Sequence, residues 1–479
     1  MVVLLASVRI QKAEADATDR ARSLGGLALA GLLAAAVANG WLHWVSPEGE
    51  PGMITLDAFG LFANWVFLLG AALTILVSFP YVARQGLQPG EFYALILLAT
   101  VGMMIMAGTT NLILLFLALE TMSIAAYVLT AFHRGERKSA EAGIKYFILG
   151  AFSSAFLLYG IALVWGGAGT VDLREIAATV EAGAGFNGLV LAGMGLLGVG
   201  FAFKVGAAPF HMWTPDVYEG APSPSTAFMA AAVKAASFAA FLRVFTEAFS
   251  SLYESWYPVV WWMAALTMVV ANLIALTQSN VKRMLAYSSL AHGGYLLVGV
   301  ASANEIATAS ILFYLLVYTI MTLGAFGVLM IVSEHGESRF QVEDYAGFGA
   351  SQPLLGVLFT IFLLSLAGFP GTGGFMGKIF LLQGAAESHL WTLAVILALT
   401  TVVSYYYYLR VAWYVWMRPA PAGALAAWAP VSVTAVLMGC AGVLIFLGIF
   451  PSGLLNGALT AAHGLWLRGL DAGLSGLVR

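Results

Sequence analysis

Along the chain, apolar stretches of about 20 residues alternate with short polar joints, from near residue 26 to near residue 451. A helix rises ~1.5 Å per residue, so each stretch is long enough to cross a hydrocarbon core of ~30 Å. The residue-by-residue alternation of ~10-residue barrel strands is missing. The pattern therefore predicts an all-α, polytopic membrane bundle. Its spans are read at 26–45, 58–83, 91–108, 111–132, 141–167, 186–207, 223–249, 257–277, 282–301, 306–333, 352–385 (broken), 389–417 and 428–451. The opening MVVLLASVRI is apolar but too short to span, and its charges follow it, unlike those of a signal peptide. It reads as the tail of a first helix.

Composition agrees. Of 479 residues, 61% are hydrophobic and 9% charged, against roughly 25% charged in a soluble domain. Too little charge is available to solvate a globular surface, and the lipid bilayer is the expected surrounding. A net charge of -3 offers no basic patch for nucleic acid or for an anionic lipid surface. The single cysteine, Cys440, lies in an apolar span and has no partner for a disulfide, zinc site or iron–sulfur cluster. Lys and Arg concentrate in one set of alternate joints, which puts residues 1–25 on the cytoplasmic side and the C-terminus outside.

Punctuation of the spans suggests an internal repeat. Five spans occupy 91–249 and five more occupy 257–417, flanked by N-terminal helices in 1–90 and a last helix at 428–451. Because five is odd, the second set enters the membrane from the opposite side, giving two inverted repeats. The fourth span of the first set, GFAFKVGAAPFHMWTPD, is broken at Pro209, which leaves the carbonyl of Val205 without a helical donor beside Lys204. The fourth span of the second, LAGFPGTGGFMGK, is broken at Pro370 and its glycines just before Lys378. Unwound backbone survives at membrane depth only where it lines a cavity inside the protein. The fifth spans also match, FLRVF around Arg243 and YLRVAW around Arg410, and the second spans place Glu120 and His292 near their middles.

Ionisable residues at that depth call for a use. Glu120 lies about ten residues from either end of its span, hence roughly 15 Å deep, and Lys234 is similarly central. A charge there costs at least ~2.5–3.5 kcal/mol. Burial favours a neutral amine and a nearby carboxylate favours the ammonium, so a lysine whose acidic partner comes and goes is a switchable proton carrier. Glu120, Lys145, Lys204, Lys234, His292 and Lys378 are the candidate relay. The competing reading for each is structural: helix pairing for Glu120 and the deep lysines, snorkelling for Lys145, which closely follows RGERK, and a satisfied core histidine for His292. Arg243, Arg410, Lys282 and Arg283 read as anchors near span ends, Asp216 and Glu219 as turn and cap residues, and the run Tyr405 to Tyr408 as an aromatic packing and interfacial cluster. GTGGFMGKI has the wrong spacing for a phosphate loop, and no GxGxxG unit, HExxH pair or Cys cluster occurs, so no cofactor or metal is expected on this chain.

The strings LALETMS, EAGIKYFILGAFSS, GFAFKVGAAPFHMWTPDVYEGAPSP, VKAASFAAFLRVF, QSNVKRMLAYSSLAHGGYLL and LSLAGFPGTGGFMGKIFLL resemble the antiporter-like subunits shared by respiratory complex I and Mrp-type cation/proton antiporters, over about residues 55–415. Within that group the chain looks most like the NuoN type, because it carries Lys378 where larger relatives usually have Glu and because it ends shortly after its last span. The resemblance implies a proton-translocating membrane-arm subunit of NADH:quinone oxidoreductase in the cell inner membrane, with homologous antiporter-like subunits as neighbours. NADH, FMN, iron–sulfur clusters and quinone would be bound by other subunits. It further implies that Glu120 pairs with Lys204, that Lys234 is the central relay, that Lys378 serves the exit half-channel, and that Lys145 and His292 lie between or beside them. An Mrp-type or hydrogenase-linked subunit and a non-transporting scaffold are the alternatives.

Overall fold

The computed structural model describes residues 2–11, 16–45, 52–183, 188–333, 338–420 and 430–476. Among these, twelve helices are long and apolar enough to cross a membrane, from Ala17–Val45 to Val431–Ile449. The broken span adds a thirteenth crossing as two half-helices, Pro353–Ala367 and Gly373–Glu387. The bundle is all-helical, as the apolar periodicity requires. Val2–Gln11, at the expected first-helix tail, is a short helix whose Ser7 lies against Gly90.

Burial separates the helices in a way their hydrophobicity does not. The most apolar windows of Ser223–Glu247 and Val281–Ser302 are 100% buried and that of Glu305–Val332 is 94% buried, against 28% for Ala17–Val45 and 33% for both Trp391–Met417 and Val431–Ile449. Three helices thus form the axis, and the rest leave one face exposed on the outside of the bundle. Lipid tails are as apolar as leucine, so helices associate by close packing rather than by escape from water. Gly160 and Gly193 show how: a Cβ at either would lie within 2.9 Å of the other's carbonyl oxygen, so the backbones of Arg137–Ala168 and Gly188–Val205 touch only because both are glycine.

The expected breaks are present. Gly188–Val205 stops at Gly206 (φ 74°), and the chain resumes as Trp213–Gly220. The other break contains Gly368 (φ 86°) and Gly371 (φ 85°), both in the left-handed region where a side chain would be strained. A third irregularity was not anticipated: the helix from Ser223 passes through a π turn, Met229–Val233, before the α-helix Lys234–Glu247.

A pair of matching tie-points joins helix ends. Asn111 caps Leu112–Thr130, and its residue bridges to Asp172, with Leu112 N donating to Val171 O (2.9 Å) and Leu173 N to Thr110 O (2.8 Å). Asn280 caps Val281–Ser302 in the same manner and bridges to Gln341, with Val281 N donating to Phe340 O (2.7 Å) and Val342 N to Ser279 O (2.9 Å).

Two expectations need correction. The helix read as C-terminal, 428–451, is not the last one: a 25-residue helix, Ser452–Gly476, follows Val431–Ile449. It folds back on the bundle, with Trp466 Nε1 donating to Thr308 (3.0 Å) and His463 meeting Glu305 (3.2 Å). Its small residues and mixed polarity hid it from a search for apolar stretches. Arg243 and Lys282 are not interfacial anchors either. Arg243 is completely buried, donating to Asp57 (2.8 Å), Glu247 (2.6 Å) and Ala107 O (2.7 Å), and Lys282 is buried with its amine on Ala221 O (2.5 Å). Their partners come largely from distant helices, which position along a span does not reveal.

Candidate proton pathway

Lys204 occupies the last turn of its helix and is 6% exposed. Its amine donates to Ser123 Oγ (2.8 Å) and Tyr127 OH (3.2 Å). Glu120, Ser123 and Tyr127 succeed one another at three and four residues, so they share a face of Leu112–Thr130. Among the described residues Glu120 and Lys204 form no direct ion pair. Glu120 is only half-buried and accepts from Ser154 of the neighbouring helix, while the lysine takes the hydroxyls farther along the same face. The carboxylate remains within electrostatic reach of the amine. Tyr127 packs edge-on to Tyr146 (4.7 Å between centroids), which stacks on Trp213 (4.6 Å), so aromatic rings wall the site on the side of the break.

Lys234 begins the α-helix after the π turn and is 3% exposed. A π turn inserts one extra residue into the helical ladder and so rotates the residues beyond it about the helix axis. The amine donates to Ser289 O (2.6 Å) and contacts the Ser289 hydroxyl. Gly293 lies beside it: a Cβ there would be in ordinary contact with the amine at 3.8 Å and tight against Val205 O at 3.3 Å.

His292 sits one turn beyond Ser289 on the same helix, 1% exposed. Nδ1 is 2.6 Å from Tyr314 OH and Nε2 is 3.1 Å from Tyr408 OH, and Tyr408 also bonds Ser288. Both Lys234 and Lys378 are near enough to act electrostatically on the ring. The tyrosine run is thus more than packing: Tyr407 bonds Asn272 (3.0 Å), and Tyr408 enters the polar interior.

Lys378, 4% exposed, lies in the second half-helix and turns back to the end of the first. Its amine donates to Ala367 O (2.8 Å) and Leu366 O (3.3 Å), carbonyls that a helix C-terminus leaves without partners, and lies 4.9 Å from the Tyr295 ring centroid. The break thus creates the lysine's acceptors.

Lys145 belongs elsewhere. It is half-exposed and ion-paired to Glu141 (2.9 Å) and Asp216 (3.0 Å). Arg283 bridges Asp216 (3.0 Å) and Glu219 (2.8 Å), and Lys138 meets Glu219 (3.3 Å). The two acids read as turn and cap residues are the centre of this cluster. Burial pushes the Asp216 carboxyl up, but Lys145 and Arg283 together outweigh it and hold it below the usual carboxylate range; Arg283 and Lys138 do the same to Glu219.

Two kinds of buried cation coexist, then. Arg243 is neutralised by two carboxylates. Among the described residues, Lys204, Lys234 and Lys378 form no ion pair and rest on hydroxyls and carbonyls. No group of three His, Cys, Asp or Glu side chains suited to a metal ion occurs among the described residues.

Residues 109–404 match the family model described as NADH:quinone oxidoreductase/Mrp antiporter, transmembrane. The chain belongs to this family. Its curated relatives include NADH-quinone oxidoreductase subunit N of Trichlorobacter lovleyi, 48% identical over 91% of this chain and 90% of that one, and subunit N 1 of Sorangium cellulosum, 49% identical over 90% and 89%. A chain of respiratory complex I from Thermus thermophilus superposes with a TM-score of 0.79 at 35% identity, covering 95% of this chain and 97% of that one. A chain of the Mrp complex from Dietzia shares the fold, with a TM-score of 0.84 at 22% identity over 99% and 98%. All six candidate relay residues lie inside the segment that matches the antiporter family.

Proposed function

We propose that this chain is a proton-translocating subunit of the membrane arm of an NADH-quinone oxidoreductase in the cell inner membrane, beside homologous antiporter-like subunits. Electron transfer and its cofactors belong to other subunits. The observation that carries the reading is the file of three buried lysines without carboxylate partners. An ion stripped of water costs several kcal/mol unless it is paired, and Arg243 shows how this fold pairs a charge meant to stay. A lysine held by neutral oxygens can release its proton and strand no anion. Glu120 supplies the variable field at the Lys204 end, His292 joins Lys234 to Lys378, and Lys145 sits at a surface ion cluster beside the file.

The two five-helix sets, 91–249 and 257–417, are proposed as inverted half-channels. The paired tie-points at Asn111 and Asn280, and the breaks at Gly206 and Gly368, support that reading.

Lys234→Ala tests the function in the assembled complex reconstituted into liposomes. Alanine is a good helix former, so insertion and assembly should persist while NADH-driven proton uptake falls at least about tenfold. Lys234→Arg should be nearly as damaging, because arginine does not release its proton. Normal assembly with unmodified pumping in the alanine variant would favour a scaffold instead.

A further inference from the structure

We infer that Tyr408 and Tyr314 are relay residues in their own right, passing a proton between Lys234 and Lys378 through the two ring nitrogens of His292; this rests on the proton-carrying reading above. The geometry is a row of hydrogen bonds across three helices. Ser288, from Val281–Ser302, bonds Tyr408 OH from Trp391–Met417; Tyr408 OH lies 3.1 Å from His292 Nε2; and Nδ1 lies 2.6 Å from Tyr314 OH of Glu305–Val332. At one end the Lys234 amine is held by Ser289, the residue after Ser288 on the same helix, so a bridging water must complete the step from the amine to the row. The other end adjoins Lys378. The ring of Tyr314 fills the place where a Cβ on Gly377 would stand, one residue before that lysine, and the Tyr295 ring beneath the Lys378 amine packs edge-on to His292 at 5.4 Å.

Packing alone does not account for the two hydroxyls. Phenylalanine would fill the same space, and burying a hydroxyl costs free energy unless it is bonded. Several buried hydroxyls are satisfied within their own helix, as Thr74, Thr100 and Thr319 are by the carbonyl four residues back, and Tyr407 is satisfied by the single side chain of Asn272. Those of Tyr314 and Tyr408 reach across to one imidazole instead. A neutral imidazole has one donor and one acceptor nitrogen, and a hydroxyl can donate and accept together. The row can therefore be polarised in either direction without an unmatched group.

Transfer is balanced at every link. Lys234 gives a proton to a bridging water, which passes one of its own protons to Ser288. The Ser288 proton moves to Tyr408 oxygen, the Tyr408 proton to Nε2, the Nδ1 proton to Tyr314 oxygen, and the Tyr314 proton onward to the Lys378 amine. Every N–H or O–H bond broken is matched by one formed, and the net change is one proton moved from Lys234 to Lys378. Reversal of the imidazole tautomer and rotation of the hydroxyls reset the row.

Tyr408→Phe and Tyr314→Phe in the assembled complex, reconstituted into liposomes, test this. Each keeps the ring, so assembly should be unchanged while NADH-driven proton uptake falls about tenfold. The double variant should be no worse than either single one, as expected for links in one file. The residual uptake should lose the multi-proton solvent deuterium effect, which a packing defect would leave in place. Tyr406→Phe, on an exposed side chain, should behave as the unmodified protein. If Tyr408→Phe lowers assembly, Ser288→Ala cuts the same row with the ring intact. Normal uptake in assembled Tyr408→Phe or Ser288→Ala, with Lys234→Ala defective, would overturn the relay and leave the lysine file standing. Normal uptake in Lys234→Ala would remove both.

Discussion

Replacing Arg243 by methionine should be among the most destabilising single changes in this protein. The guanidinium is completely buried between Asp57 and Glu247, which are 4% and 1% exposed, and also donates to the carbonyl of Ala107. Methionine replaces only the stem as far as Nε and leaves two carboxylates in the interior with their cation gone. Removing one partner of a buried pair costs about 3–5 kcal/mol, chiefly through the charge left behind. The lost bond to Ala107 O adds about 1 kcal/mol or more for a buried acceptor. Against a total stability of roughly 5–15 kcal/mol, that is a large share. The origin of the cost can be isolated by neutralising the acids in the same chain. Asp57→Asn keeps an oxygen to cap Ala58–Arg84 through Gly60 N, and Glu247→Gln keeps its shape, so the triple variant should recover most of the loss. The assay is the amount of subunit recovered in the assembled complex, together with its denaturation midpoint in detergent. A methionine variant as stable as the unmodified protein, or a triple variant no better than the single one, would refute the view that stranded charge sets the cost.

Gly377→Ala should disturb both Tyr314 and the lysine beside it, because the added Cβ overlaps the Tyr314 ring; proton uptake should fall while total helix content by circular dichroism stays constant. Deleting Ala231 should convert the π turn Met229–Val233 to α geometry and leave Lys234 facing Ser289, because the deletion removes the one extra residue that the wide turn accommodates; coupled turnover of the assembled complex should then stay near that of the unmodified protein and far above that of Lys234→Ala. The ion cluster predicts an acid-sensitive difference in stability. Asp216 and Glu219 are held below their ordinary values when folded, so their contribution is present above the unfolded carboxylate range near pH 4 and is lost as pH falls through the folded values. Asp216→Asn should therefore lower the thermal midpoint at pH 7, and the gap to the unmodified protein should close toward pH 3. The effect should be modest, since the Asp216 side chain is 41% exposed.

What the sequence determined by itself is what local chemistry controls. Runs of about 20 apolar residues fix a membrane helix because backbone groups in lipid must bond within their own segment, and the breaks at Gly206 and Gly368 were legible because Pro209, Pro370 and the glycines around them deny helical bonds to particular carbonyls. Lys204, Lys234 and Lys378 stood out because charge is costly at depth. What only the tertiary structure decided is which groups meet across helices. Apolar sequence does not distinguish a face toward lipid from a face toward protein, so nothing marked Arg243 as buried, Lys145 as half-exposed, or Tyr314 and Tyr408 as partners of His292, 22 and 116 residues away. The π turn escaped for a similar reason. The run around it, AFMAAAVKAAS, has ordinary helix propensity, and one extra residue in the ladder is set by how Lys234 must be turned to reach Ser289 on another helix. Nor did residue type show what Lys204 bonds directly: Ser123 and Tyr127, on the same helix face as Glu120, hold the amine.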